Sequence, residues 1–140
     1  MGTYMTGPFQ TGTGLDNTGA DTGTVVLSKT ALINFDADLV QDATFTLPAN
    51  AQIVDIVVDA LVGYNSATSA TFSAGYTSGG TEYVSGVNVK TTGRKANGFS
   101  AAQLAAMDDI DNNTTLVATV TSVGQPSAGS TRVTVLYVQN

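Results

Sequence analysis

The chain has 140 residues, 42% of them hydrophobic, and its 11 acidic against 5 basic residues give a formal net charge of −6. It contains no histidine and no cysteine, which excludes disulfide bonds, the commonest general base, the thiol nucleophile and the usual transition-metal ligands. Only 11% of the residues are charged, and this low, negative charge disfavours nucleic acid and anionic membranes and favours contact with other proteins.

The first 23 residues are rich in glycine and threonine and have few apolar side chains to bury. Such a composition is typical of a disordered terminus or of an extended arm that orders along a neighbouring molecule. We therefore predict an N-terminal arm over residues 1–23 and a single β-sandwich domain over residues 24–140. The start of the chain has no signal-peptide pattern, and no run is apolar for long enough to span a membrane.

Short segments in which apolar residues alternate with Thr or Ser follow the arm, and Gly, Pro and Asn separate them. This alternation predicts β-strands joined by turns. The predicted strands cover residues 24–29, 31–35, 43–47, 52–62, 71–76, 83–89, 116–121 and 131–138.

The strand at residues 52–62 has the clearest alternation. It predicts that Val54, Ile56 and Val58 face the core, whereas Ile53 lies on the opposite face. In the strand at 83–89, Tyr83, Ser85, Val87 and Val89 are predicted to share one face. The last strand, predicted to be central and buried on both sides, follows a hairpin loop at residues 122–130.

One short helix is predicted at residues 101–107. Ser100 and Gln103 have the spacing of a capping box, and Phe99 is placed to pack on Leu104 as a hydrophobic staple. The helix is expected to close one end of the sandwich. The predicted fold is thus all-β, a β-sandwich or jelly-roll-like domain of about eight strands with one short helix.

An acidic cluster lies at residues 108–113, where Asp109 and Asp111 are weak candidate calcium ligands. The cluster lacks the later glycine and glutamate of an EF-hand loop, so an Asx turn after the helix is the favoured alternative. Asp55 and Asp59 are four residues apart on one strand, about 13 Å along it, too far for a glycosidase pair. We predict no cofactor and no enzymatic activity.

Three of the five basic residues, Lys90, Arg94 and Lys95, fall within six positions beyond a predicted strand. They form either a solvated loop or a docking site for an acidic partner surface. Together with Tyr4 and Phe9 of the arm, they are the candidate partner-binding residues.

Residues 43–62, with the run TLPANAQIVDIVVD, and the closing segment 128–138, AGSTRVTVLYV, resemble tailed-bacteriophage virion proteins. The relatives in that family are small jelly-roll-like capsid decoration, or cement, proteins. The resemblance implies a virion structural protein that binds the outer surface of the major capsid protein. It also implies a homotrimer on the capsid surface, made in the cytoplasm of a bacterial host.

An alternative function is a receptor- or glycan-binding module of a phage head fibre, spike or tail protein. Sugar-binding platforms need exposed aromatic rings. The chain has no tryptophan, and its aromatic residues in loops or the arm are Tyr4, Phe9, Tyr64 and Phe99. Exposed rings among these residues would favour the alternative.

Overall fold

The computed structural model of the protein describes residues 25–139. The predicted arm, with Tyr4 and Phe9, lies outside the described residues. The elements, in chain order, are β1 (Leu27–Asn34), β2 (Val40–Thr46), β3 (Gln52–Val62), β4 (Ser69–Gly75), β5 (Val84–Asn88), β6 (Gly93–Lys95), α1 (Ala101–Asp108), β7 (Thr115–Val123) and β8 (Ser130–Val138).

The strands form two antiparallel four-stranded sheets that face each other. One sheet has the order β1-β8-β3-β6 and the other the order β2-β7-β4-β5. Only β4 and β5 are consecutive strands paired in one sheet, and the other connections between consecutive strands cross to the opposite sheet. This is the topology of an eight-stranded jelly roll. The predicted all-β sandwich with one short helix is confirmed.

The core lies between the two sheets and consists of the inward side chains of every second strand residue. Phe72 of β4 belongs to one buried cluster with Ile56 and Val58 of β3 and Val133 and Val135 of β8, and all five are almost completely buried. Burial of a side chain of this size stabilises the fold by about 1.5–3 kcal/mol. The core therefore depends on the alternation that the sequence displays.

The first two predicted strands are one strand in the structure. β1 pairs with β8 without a break, from Leu27 opposite Tyr137 to Asn34 opposite Ser130. Lys29 and Thr30, which interrupt the apolar pattern, are exposed on this edge strand, so they do not interrupt the pairing. The prediction of two separate strands was wrong.

The bounds of β3 agree with the prediction, but the faces of its first residues do not. The pairing with β8 shifts register between Ile53 and Asp55, which inserts Val54 as an extra residue. Ile53 is consequently buried, whereas Val54 is 49% exposed. A β-bulge of this kind reverses the alternation on one side of it, and the prediction that Val54 faces the core was wrong.

A second irregularity affects β5. The register with β4 shifts between Phe72 and Ala74, and Gly86 adopts a φ of 67°, which glycine tolerates best. Tyr83 and Val84 are therefore both buried and Ser85 is exposed, so the prediction that Ser85 shares a face with Tyr83 was wrong.

The connection between β7 and β8 is not a hairpin loop, because the two strands belong to different sheets. β8 is central, between β1 and β3, as predicted. Its outer face is only partly buried, however, since Arg132 is exposed and Thr134 and Leu136 are half-buried. The prediction of burial on both sides was wrong.

The helix begins at the predicted position. Ser100 is the N-cap, its Oγ accepts a hydrogen bond from the Gln103 backbone N–H, and the Gln103 side chain accepts one from the Ser100 N–H. Met107 is buried, whereas Leu104 is 52% exposed. Within residues 25–139, no helix is long and apolar enough to cross a membrane.

Candidate functional site

The predicted basic loop is in part a strand. Lys90 lies in the link between β5 and β6, and Arg94 and Lys95 belong to β6, the edge strand beside β3. The structure therefore brings these three residues to one edge of the sandwich. Lys95 Nζ donates a hydrogen bond to Thr91 Oγ1 at 2.8 Å.

Arg94 is held by an acidic residue of the neighbouring strand. Its Nε lies 3.2 Å from Asp59 Oδ1, and Arg132 Nη2 of β8 lies 3.3 Å from Asp59 Oδ2. Asp59 pairs with both arginines in the strand register, so the three side chains cross the outer face of the sheet in one row. Two cations share one carboxylate, which leaves a local positive charge.

The sequence pattern missed Arg132, because it lies on a strand far along the chain from Arg94. No local signal could have found it, since only the register of β3 with its two neighbours places it beside Asp59. Both arginine side chains are largely exposed, 70% for Arg94 and 46% for Arg132. Their guanidinium groups are therefore accessible to a partner.

The acidic cluster after α1 forms a turn. Asp109 Oδ1 accepts hydrogen bonds from the Asp111 backbone N–H at 2.8 Å and from Asn50 Nδ2 at 3.2 Å. Asp111 has a φ of 54°, a left-handed value that aspartate tolerates in turns. The favoured Asx turn is confirmed. Within the described residues, no three acidic side chains are grouped so that they could hold a metal ion.

The outer face of the β2-β7-β4-β5 sheet is dominated by threonine and is partly covered by the β4–β5 loop. Asp42 Oδ1 accepts hydrogen bonds from Ser78 Oγ at 2.9 Å and from Thr119 Oγ1 at 2.8 Å. Thr119 Oγ1 in turn accepts one from the Gly79 N–H at 2.9 Å. These bonds hold the loop on the face and bury Thr119 completely.

An open cleft of about 560 Å³ lies between the β4–β5 loop and α1, lined by residues that include Tyr76, Glu82 and Gln103. Two of its polar side chains, those of Glu82 and Gln103, already have structural partners. Glu82 Oε1 accepts a hydrogen bond from the Tyr76 N–H at 2.9 Å, and Gln103 Nε2 donates one to the Thr81 carbonyl at 3.2 Å. The cleft therefore brings together groups that shape the loop and cap the helix.

Two tyrosine rings are buried rather than presented to solvent. Tyr64 lies in the β3–β4 loop, as predicted, but its ring is inside the protein and its hydroxyl donates to the Ile33 carbonyl at 2.8 Å. Burial raises the pKa of Tyr64 to about 12. Burial also raises the pKa of Tyr83, with smaller contributions from Tyr76 and Glu82. Phe99 is half-buried, and Phe35 is exposed.

No protein-family model and no curated protein matches the chain. Among solved structures, it is similar to a chain of the cyanophage Pam1 capsid asymmetric unit, with a TM-score of 0.58 and 22% sequence identity. The match covers 91% of this chain and 94% of that chain. At this identity the likeness establishes the fold. The resemblance to phage virion proteins is thus confirmed to this extent: the protein shares its fold with a chain from a phage capsid.

Proposed function

We propose that the protein is a non-enzymatic virion structural protein that decorates and stabilises a bacteriophage capsid. It would bind the outer surface of the major capsid protein after synthesis in the host cytoplasm. The observation that carries this proposal is the match to a phage capsid chain over nearly the full length of both chains. A likeness of this extent involves the whole sandwich rather than one supersecondary motif.

The outer face of the β2-β7-β4-β5 sheet supports this function, and we propose that it lies against the capsid. Apart from Asp42, its exposed strand side chains carry no charge, so contact with a flat protein surface requires little desolvation. Short threonine side chains also lose less rotamer entropy on contact than lysine or glutamate would. The exposed or half-exposed threonines of this face are Thr44, Thr46, Thr71, Thr115 and Thr121.

The candidate partner-binding residues are proposed to make different contacts. We propose that the arm over residues 1–23 crosses adjacent capsid subunits, with Tyr4 and Phe9 as its apolar contacts. We also propose that the protein associates with itself on the particle, as a homotrimer. Lys90, Arg94 and Lys95 would then bind an acidic protein surface.

The alternative, a glycan-binding module of a fibre or spike, receives less support from the aromatic residues. A sugar platform needs an exposed ring, and the ring of Tyr64 is buried although the residue lies in a loop. Phe35 is exposed, but it is flanked by Asn34 and Asp36 at the end of a strand rather than by a second exposed ring. The decoration role is therefore the better supported function.

The first experiment is to purify intact particles and to measure the number of copies of this chain per particle by quantitative mass spectrometry. Copies in proportion to the capsid subunits would support decoration of the shell. A few copies per particle would indicate a fibre or spike, and the absence of the chain from particles would overturn the virion function.

A binding experiment tests the proposed capsid-facing surface. Particles lacking the protein are titrated with the purified chain and with Thr44→Lys, which places a long cation on the threonine face. We expect the variant to bind about tenfold more weakly, because its charge must be desolvated. The matched control is Ser28→Lys, exposed on β1 of the other sheet, which should bind as the unmodified chain does. Equal weakening by both variants would contradict this orientation.

A further inference from the structure

The two lateral edges of the sandwich are protected to different degrees. β1 and β2 form one edge, with eight and seven residues, and both pair with their neighbours without a register shift. β5 and β6 form the other edge, with five and three residues. Long, regular edge strands offer unpaired backbone groups to another chain. Within residues 25–139, no strand covers the β1–β2 edge.

Exposed apolar side chains concentrate at the same edge. Among the described residues, seven of the twelve exposed large hydrophobic side chains fall in residues 25–40, the stretch that contains β1 and the β1–β2 loop. Single exposed apolar residues are normal, but a cluster of them indicates an interaction surface. The seven are Val25, Val26, Leu27, Leu32, Phe35, Leu39 and Val40.

The β1–β2 loop adds negative charge to this edge. Asp36 and Asp38 lie in the loop, and neither of them has an ion pair within the described residues. Asp36 Oδ1 accepts hydrogen bonds from the Asp38 N–H and from Gln41 Nε2, which hold the loop in place. We call the surface formed by Phe35, Asp36, Asp38 and Leu39 the acidic corner.

The opposite edge has a corner of opposite charge. Leu61 and Val62 are exposed at the end of β3, where the chain passes close to the β5–β6 link: a Cβ at Gly63 would collide with the Lys90 carbonyl oxygen. Lys90, Arg94 and Lys95 lie beside them. We call this surface, Leu61, Val62, Lys90, Arg94 and Lys95, the basic corner.

Both corners lie at the same end of the sandwich. Hydrogen bonds join the loops there, from the Phe35 N–H to the Gly129 carbonyl and from the Tyr64 N–H to the Val89 carbonyl. Each sheet has four strands, so the corners are about 14 Å apart across the sheet, three inter-strand spacings. The two corners lie at the same end of the sandwich but on opposite edges. One corner of a copy can therefore contact the other corner of the next copy, which is a head-to-tail contact.

We propose that the acidic corner of one copy of this chain binds the basic corner of a second copy. Each corner combines exposed apolar side chains with charges of one sign, so the contact buries apolar surface and pairs opposite charges at its rim. This rests on the self-association proposed above, for which it assigns the contacting surfaces, and it does not depend on capsid binding. The test uses the isolated protein, so its failure would leave the proposed virion function in place.

Charge reversal tests the pairing of the two corners. Asp38→Lys and Lys90→Glu each place like charges opposite one another, and neither side chain has an ion pair to lose within residues 25–139. Each variant should weaken association about tenfold in sedimentation equilibrium, and the chain carrying both changes should recover the affinity. Unweakened single variants, a double variant that does not recover, or an unmodified chain that stays monomeric across the concentration series would overturn the proposal.

The apolar part of the contact has its own matched pair of variants. Leu39 in the acidic corner and Leu104 on α1 are exposed to similar degrees. Leu39→Ser should weaken association about tenfold or more, whereas Leu104→Ser should leave it unchanged. Equal effects of the two substitutions would overturn the proposal.

Crosslinking identifies the occupant of the acidic corner. A photoreactive amino acid at position 39 of the full chain is irradiated in a mixture of ¹⁴N- and ¹⁵N-labelled protein. We expect mixed-label crosslinks to peptides that contain Leu61 or Lys90. Crosslinks within one chain to residues 1–24 would show that the chain's own N-terminal segment occupies the corner, and would overturn the proposal.

Discussion

The β1–β2 edge and the β5–β6 edge differ in how far their unpaired backbone groups are open to pairing with another chain. Beyond β6, the chain continues along β3, where Asn97 Nδ2 donates to the Ile56 carbonyl at 2.5 Å and α1 packs against β3. The β5–β6 edge is thus short and irregular, and beyond β6 the chain itself covers the adjoining part of β3. The β1–β2 edge is long and regular, and its side chains are largely exposed.

The comparison teaches that the two edges limit pairing with other chains by different means. Short or bulged edge strands resist pairing with other chains, so the β5–β6 edge restricts contact to its side chains. At the β1–β2 edge, few groups other than the paired strands anchor β1. Substitutions that loosen this anchor should therefore cost more stability than substitutions in the cover of the opposite edge.

Removal of the Tyr64 side chain should have the largest effect. The buried ring fills the space beneath the end of β1, and its hydroxyl bonds to the Ile33 carbonyl. Tyr64→Ala should lower the free energy of unfolding by about 3–5 kcal/mol, measured by urea denaturation. Tyr64→Phe, which keeps the ring and loses one hydrogen bond, should cost about 1 kcal/mol. Equal losses for the two variants would mean that the ring does not anchor β1.

Alkaline pH should weaken the same anchor. The pKa of Tyr64 is raised to about 12 by burial, whereas an unfolded chain has a tyrosine pKa near 10. The folded state therefore holds the proton more tightly, so this contribution to stability is complete below pH 10 and is lost between pH 10 and 12. Urea denaturation at stepwise pH should show this fall, and Tyr64→Phe should reduce its slope to the part that the buried Tyr83 contributes. If stability fell with pH as steeply in Tyr64→Phe as in the unmodified chain, the ionisation of Tyr64 would not contribute to the fall.

Substitutions in α1, which packs against β3 beyond β6, should reduce stability less. Ser100→Ala removes the side-chain cap of α1, and we expect a loss of about 1 kcal/mol in the free energy of unfolding. Ser85→Ala, at an exposed position of β5, serves as the control and should change it little. A loss from Ser100→Ala as large as that from Tyr64→Ala would contradict the proposed difference between the edges.

The ion pairs of Asp59, on the outer face of the β1-β8-β3-β6 sheet, should contribute least to the free energy of unfolding. Asp59→Asn leaves Arg94 and Arg132 without their shared carboxylate, but both arginines are largely exposed and water screens such pairs. We expect a loss of about 0.5 kcal/mol in urea denaturation, smaller still at high salt. A loss of several kcal/mol, unaffected by salt, would show that this row of charges holds β6 in place.

Local patterns predicted the elements well where the chain is regular. The alternation from Gln52 to Val62 gave the bounds of β3, and the spacing of Ser100 and Gln103 gave the start of α1. Both signals depend on neighbours in the chain, and the structure agrees with both.

The remaining features depend on residues far apart in the chain. The bulge at Val54 is defined by the register of β3 against β8, so the alternation alone placed this side chain on the wrong face. Tyr64 lies in a loop, where exposure is the usual expectation, yet the loop turns its ring inward. The charges of the basic corner were predicted from the sequence. Its apolar residues and the acidic corner could not be, because their positions depend on how the strands are arranged in the two sheets.

The pairing of β1 with β8 also constrains how the chain folds. Among the strands of residues 25–139, β1 is the first to be synthesised and β8 the last, so the β1-β8-β3-β6 sheet cannot be completed until residues 130–138 have left the ribosome. Until then β3 also lacks its main partner. Folds dominated by such distant pairings are slow to form. During this time the apolar residues from 25 to 40 remain exposed, without their partner strands. A nascent chain of this protein should therefore depend on chaperones more than a helical protein of equal length.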